Sequence, residues 1–291
     1  MRVISYIYHL PFAIYLLCAI WLFEHLTISA INTHYDFVVP DDGTFNEAID
    51  KANNRSDKNQ RFTIFVKAGS YKIGTEDNVI TTLTAPKTSI IGEGCDKTQL
   101  YNTPKEEGIG ITSTLFVKDA DSTVIEDIEL WCNFDNDFNA FANRAVALNE
   151  KNCKGNILRR VSLRSTQDTY YTNNDGDTYL EDCNIYGTMD FICGGGTVFF
   201  NHCNLILVAR GNTGKRDVIV APATEENREV GYVFWNCTID GSAEQNDKYW
   251  YGRAWRNEPK VVFINTKQKI RPAKEPWGEI SGCHWNHHAV Y

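Results

Sequence analysis

Leu180-Glu181-Asp182-Cys183-Asn184-Ile185 is followed 20 residues later by Phe200-Asn201-His202-Cys203-Asn204-Leu205. The two are one phrase: an apolar residue, two polar ones, then an apolar-x-apolar pair. It recurs upstream as Val124-Ile125-Glu126-Asp127-Ile128-Glu129-Leu130 and Leu158-Arg159-Arg160-Val161-Ser162-Leu163, and downstream as Phe234-Trp235-Asn236-Cys237-Thr238-Ile239. Val161 to Cys183 is 22 residues and Cys183 to Cys203 is 20, a period in the solenoid range. The steps of 33 from Ile128 to Val161 and 34 from Cys203 to Cys237 fit coils that carry an inserted loop. The segments are too short for helices, rich in β-branched and aromatic residues, and separated by Gly, Asn and Asp. A single coil of this size cannot bury its apolar side, so neighbours must stack into one continuous core. An all-β, single-stranded parallel β-helix follows; a β-propeller with a similar repeat is the alternative.

Upstream of the repeats, Tyr35-Asp36-Phe37-Val38-Val39-Pro40 reads as a strand. Thr44 to Ala52 reads as a short helical cap, with Thr44 as N-cap and Phe45, Ala48 and Ile49 on one face. Residues 1–30 carry Arg2, an apolar stretch from Leu10 to Phe23 and small residues at Thr27-Ile28-Ser29-Ala30, the pattern of a signal peptide, with an uncleaved anchor as the alternative. The expected organisation is therefore a leader at 1–30 and a β-helix domain at 31–291 that leaves the cytosol, with no stable membrane partner once the leader is cut. The 291 residues are 43% hydrophobic with a formal charge of −8 and no long basic run, which supports a large core and excludes a nucleic-acid partner.

There are nine cysteines, and Cys18 falls in the leader. Eight in a secreted chain invite a disulfide reading. However, Cys183, Cys203 and Cys237 occupy the place that Ile128 and Val161 hold in other repeats, so they are expected to point inward as small hydrophobes with free thiols. No C-x-x-C spacing suggests a metal. His284, His287 and His288 near the C-terminus are expected to form a solvated tail.

Between repeats lie two polar turns, Ser165-Thr166-Gln167-Asp168-Thr169-Tyr170-Tyr171 and Gly187-Thr188-Met189-Asp190-Phe191-Ile192-Cys193-Gly194. Asp168 and Asp190 are 22 residues apart, one coil, which stacks them at about the 4.8 Å strand spacing. Each alone would be read as a turn cap. Stacked, they repel, and the repulsion raises one pKa, leaving one carboxyl as an acid and the other as an ionised nucleophile.

Gln167-Asp168-Thr169, Asp190-Phe191-Ile192-x-Gly194, Ala145-Val146-Ala147-Leu148 and Gly252-Arg253-x-Trp255 resemble, in order and spacing, the signature segments of the pectin methylesterase family. Gly69-x-Tyr71, Ile90-Ile91-Gly92-x-Gly94 and Asp41-Asp42-Gly43 extend the match over most of Tyr35 to Trp277. The resemblance implies a right-handed parallel β-helix of the pectin-lyase-like type that removes methyl esters from pectin with two carboxylates and no metal or cofactor. It implies Asp190 as nucleophile, Asp168 as general acid and then base, Gln167 as oxyanion donor and Arg253 as the partner that keeps Asp190 ionised. Trp255 and Phe191 would be aromatic walls against a sugar ring, with Arg144 and Tyr71 as further substrate contacts.

The chain departs from the family at Arg144, where a Gln donor is usual, and at Cys193, where a Phe is usual; Ala254, Tyr251 and Ile73 are milder changes. Arg144 either donates hydrogen bonds in place of the Gln, with added positive charge, or is drawn into a salt bridge and disables the site. The charge of −8 repels fully de-esterified, polyanionic pectin unless the groove is locally basic, as Arg144, Arg164, Arg253 and Arg256 could make it; a preference for partly or highly methylated chains is expected. The alternatives are a non-catalytic β-helix that binds acidic polysaccharide, and a lyase or glycosidase on the same scaffold. The protein is expected to be a monomer.

Overall fold

Alternation of apolar and polar residues, repeated at coil length, builds three parallel sheets. The computed structural model describes residues 34–74, 80–134, 144–173, 176–208 and 216–291; the expected leader at 1–30 lies outside them. Each full coil contributes one strand to each sheet, for example Asn156–Arg159, Ser162–Arg164 and Tyr170–Asn173, then Asp177–Glu181, Asn184–Gly187 and Ile192–Gly194. Among the described residues the first sheet has ten strands and the second and third have eight each, all paired in parallel between successive coils. The chain is a right-handed parallel β-helix, not a propeller.

The repeated phrase is explained by the corner between the first and second sheets. Asp127, Arg160, Asp182, His202, Asn236 and Asn265 all sit there with φ between 51° and 55°. This left-handed region is one that Asp, Asn and His enter more readily than most residues, and it turns the chain sharply without a glycine. The residue that follows, Ile128, Val161, Cys183, Cys203 or Cys237, is driven into the interior and is buried. The described cysteines are all free, and six of the eight are buried.

Strict register then aligns like side chains along the axis. In the first sheet Ile64, Ile90, Ile125, Leu158, Leu180, Phe200, Phe234 and Phe263 occupy one inward column. Its C-terminal rings stack face to face, Phe200 on Phe234 at 4.3 Å and Phe234 on Phe263 at 4.4 Å. The interior also holds a carboxyl. Glu150 accepts hydrogen bonds from Tyr170 Oη at 2.5 Å, Asn156 Nδ2 at 2.8 Å and Thr178 Oγ1 at 2.9 Å, which satisfies a group whose pKa burial pushes up.

At the N-terminal end the helix Phe45–Asn54 buries Phe45, Ala48, Ile49 and Ala52. Its start is fixed by a capping box: Thr44 Oγ1 accepts from the Glu47 amide at 3.2 Å, and Glu47 Oε2 accepts from the Thr44 amide at 2.7 Å. No described helix is long and apolar enough to cross a membrane. At the other end His284, His287 and His288 are solvent-exposed, as expected, but the segment is not a loose tail. His287–Val290 is the tenth strand of the first sheet, and His288 lies 4.7 Å from the Trp277 ring and 5.0 Å from the Trp285 ring. The backbone of Lys260–Ile264 would otherwise be an unpaired edge, and pairing with it orders the segment.

The connections between the second and third sheets vary most in length. They are shortest at 165–169 and 188–191 and longer on the neighbouring coils, at 133–147 and 208–216. The two short ones carry Asp168 and Asp190. Removing a ring from the aromatic stack tests the core: Phe234→Ala is expected to cost about 3–5 kcal/mol in urea unfolding monitored by circular dichroism. A loss below about 1 kcal/mol would mean that the column is not packed as described.

Candidate active site

Asp168 and Asp190 each stand two residues before a paired rung of the third sheet, Tyr170 opposite Ile192, so parallel pairing sets one carboxyl above the other. Both backbones take left-handed turns, φ 62° at Asp168 and 51° at Asp190, a conformation Asp tolerates. Both side chains are almost sealed from solvent, at 5% and 4% exposure.

Their surroundings differ. Arg253 grips Asp190 in a two-point ion pair, Nε to Oδ1 at 2.7 Å and Nη2 to Oδ2. Arg253 stands on the strand Tyr249–Ala254, two rungs along the third sheet from Asp190's coil. On the intervening rung Val220 pairs with Ile192 on one side and Gly252 on the other, with the small Ala221 following it. Asp168 has no such cation against it. Burial and then the charge of Asp190 push its carboxyl up to about 8, while the Cys193 thiol, Arg144 and Arg253 pull the other way. The thiol donates to Asp168 Oδ1 at 3.6 Å. Cys193 is buried, and its own pKa is raised well above the usual thiol value, first by burial, so it remains a protonated donor.

Gln167 is half-buried immediately before Asp168, and its backbone bridges to Arg144 on the preceding coil. Among the described residues its side-chain amide has no protein hydrogen-bond partner. Arg144 forms the salt bridge that was one of its two expected fates: Nε to Glu107 Oε2 at 2.7 Å and Nη2 to Oε1 at 2.6 Å, at the solvent-exposed rim. Glu107 lies in the connection 103–114, outside any repeated phrase, and no sequence signal singled it out.

Beside the carboxyls, Val146, Tyr171, Cys193 and Ala221 form a small apolar floor on the outer side of the third sheet, with half-buried Trp255 packed against it. The Tyr171 and Trp255 rings are 6.3 Å apart, and Arg256 lies 4.3 Å over the indole. Tyr171 was quoted within a motif but given no role; its meaning depends on which side of the strand faces out, and that is set by the left-handed turn at Asp168.

Two expected substrate contacts and one expected groove arginine lie elsewhere. Phe191 is fully buried in the main core, its ring tucked against Gly187, where a Cβ would lie 2.1 Å from Phe191 Cβ. The left-handed turn at Asp190 sends the next side chain inward. Tyr71 pairs with Leu100 in the column that continues as Leu130 and Leu163, packs against the core end and bonds to the Lys67 and Ala68 carbonyls. It is three rungs, about 14 Å, from the coil of Asp168. Arg164 points from the second sheet over Trp131, away from the cleft. The site thus unites Asp168, Asp190, Gln167 and Arg253 with Trp255 beside them and Arg144 at the rim. Among the described residues no group of three His, Cys, Asp or Glu side chains is placed to hold a metal ion.

This arrangement can attack an ester with one carboxylate and protonate the leaving alkoxide with the other. The pectinesterase family model matches residues 36–287. A probable pectinesterase/pectinesterase inhibitor of Arabidopsis thaliana is 29% identical over 253 residues, covering 83% of this chain and 43% of the relative. The chain spans about half the length, or less, of the curated relatives it matches. A pectin methylesterase solved in complex with a hexasaccharide superposes with a TM-score of 0.68 at 25% identity, over 80% of this chain and 79% of that one. The rice weevil pectin methyl esterase gives 0.75 at 18% identity, over 90% and 89%, a likeness of fold. With a family match spanning nearly the whole described body, the chain belongs to the pectinesterase family.

Proposed function

We propose that this protein hydrolyses the methyl esters of pectin, releasing methanol. The observation that carries the reading is the asymmetry of a stacked, buried pair: Asp190 held by Arg253, Asp168 without a close cation and pushed up to about 8. At neutral pH the pair therefore offers a carboxylate beside a carboxylic acid, the two forms ester cleavage needs.

Asp190 attacks the ester carbonyl carbon, and the tetrahedral oxyanion is met by the Gln167 amide N–H. Collapse breaks the bond to the methoxy oxygen, which takes the Asp168 proton and leaves as methanol. Asp190 is then joined to the uronate carbonyl as an anhydride. Asp168, now a carboxylate, takes a proton from water, the hydroxide attacks the uronate carbonyl, and the acid product departs with Asp190 regenerated. The floor of Val146, Tyr171, Cys193 and Ala221 suits a methyl group, and Trp255 suits a sugar face. Of the arginines at the cleft, Arg253 is committed to Asp190 and Arg144 to Glu107, and Arg256 is stacked on Trp255, so most of the positive charge is not offered to a polyanion. Methylated stretches are thus the expected substrate. The leader pattern at 1–30 supports action outside the cytosol.

Purified protein is expected to release methanol from methylated pectin, and Asp190→Ala to reduce release to background while circular dichroism is unchanged; turnover retained by that variant would remove the nucleophile assignment. Asp168→Asn should cost about 10²–10⁴-fold in kcat, the range of a lost general acid. A product absorbing in the ultraviolet, or shortened chains, would instead indicate lyase or glycosidase action.

The acid limb of Asp168 sets the pH dependence. The carboxyl is protonated below about 8, so kcat/KM should fall as pH rises through that value. The Cys193 thiol stabilises the charged form, so Cys193→Ala should move this limb to higher pH. A limb that stays in place, or moves down, would show that the thiol does not act on Asp168.

A further inference from the structure

The outer side of the second sheet carries a strip that the catalytic cleft does not use. Tyr101, Trp131, Arg164, Tyr186 and Ile206 stand in register on five successive strands. At about 4.8 Å per rung they form a line about 19 Å long, parallel to the solenoid axis. Tyr101, Trp131 and Tyr186 are half-buried and Arg164 is exposed. The Tyr101 and Trp131 rings are 6.3 Å apart, and the Arg164 guanidinium lies 5.2 Å over Trp131.

Beside this line runs a second one of amides and hydroxyls. Gln99 Nε2 donates to Glu129 Oε1 at 2.6 Å, Ser162 Oγ to Glu129 Oε2 at 2.9 Å, and Asn204 Nδ2 to Asn184 Oδ1 at 2.8 Å. Both oxygens of Glu129 are therefore occupied, and among the described residues Arg164 has no carboxylate partner.

Aromatic rings in a row on a flat, outward sheet are not required by the core, which is filled from the opposite side of the same strands. Their faces suit the C–H faces of successive sugar rings, the flanking amides and hydroxyls suit sugar hydroxyls, and the unpaired guanidinium suits a uronate carboxylate. The strip is also continuous with the site. Four residues after Arg164 and Tyr186 the chain reaches Asp168 and Asp190, so the line of rings and the pair of carboxyls lie on two sides of one corner.

We propose that Tyr101, Trp131, Arg164 and Tyr186 form a second polysaccharide-binding surface, separate from the cleft, that takes a de-esterified polyuronate chain. The choice of a uronate rests on the esterase reading: in the cleft Arg253 and Arg144 are ion-paired, while the strip offers Arg164, stacked on Trp131 without a carboxylate partner among the described residues, to the acid stretches the reaction leaves behind.

The test is co-sedimentation of the full chain with insoluble, fully de-esterified polygalacturonate, for wild type, Trp131→Ala and Arg164→Gln. Methanol release from a short, soluble, methylated oligogalacturonide is measured in parallel. Each variant is expected to bind about tenfold more weakly while releasing methanol at the wild-type rate. Arg164→Gln is a surface change that guards against a folding defect at Trp131. Undiminished binding by both variants, no binding by wild type, or equal binding to a neutral polysaccharide would overturn the proposal. Absent methanol release with variant-sensitive binding would refute the esterase reading and leave the surface standing.

Discussion

Every other feature depends on the in-register parallel pairing of successive coils. A coil of about 20 residues has two exposed backbone edges and an apolar inner side it cannot cover alone, so it is stable only between neighbours. Pairing satisfies the edges and simultaneously aligns each position with its equivalents above and below. Isoleucines and phenylalanines become one column, Cys183, Cys203 and Cys237 become fillers instead of cross-links, and the left-handed residues form a seam along one corner. The helix with its capping box closes the N-terminal end, where no further coil supplies a partner.

The same alignment that stabilises the core creates the chemistry. It sets Asp168 over Asp190 in a nearly dry corner, where two negative charges are not tolerated together. The structure resolves the conflict unequally, with a two-point arginine for one carboxyl and a proton and a thiol for the other. The strain of paired carboxyls is thereby converted into an acid and a nucleophile held in fixed relation, with no reorganisation needed when substrate arrives.

The replacements particular to this chain act at the edges of that pair. Cys193 puts a weak donor under Asp168 and keeps the floor small and apolar. Arg144 is steered to Glu107, so its charge bears on Asp168 only from the rim. Of the arginines that could have made an acidic protein attractive to polyanions, Arg144 and Arg253 are ion-paired, Arg256 is stacked on Trp255, and Arg164 lies on the aromatic strip around the corner.

The sequence by itself determined the solenoid, the inward cysteines, the helical cap and the stacking of Asp168 on Asp190, because all of these follow from period, and period is a local property read along one dimension. The pairing of Arg253 with Asp190 was legible only through family resemblance. The tertiary structure alone decided which side of each strand faces the cleft. A single left-handed residue at a corner reverses the direction of the next side chain, and this sent Phe191 into the core and left Tyr171 on the floor. It also decided the partners that come from inserted connections, such as Glu107 for Arg144, since those segments obey no repeat. The ordered C-terminal strand likewise had no signature in composition: its histidines became part of the sheet because a neighbouring backbone edge was waiting to be paired.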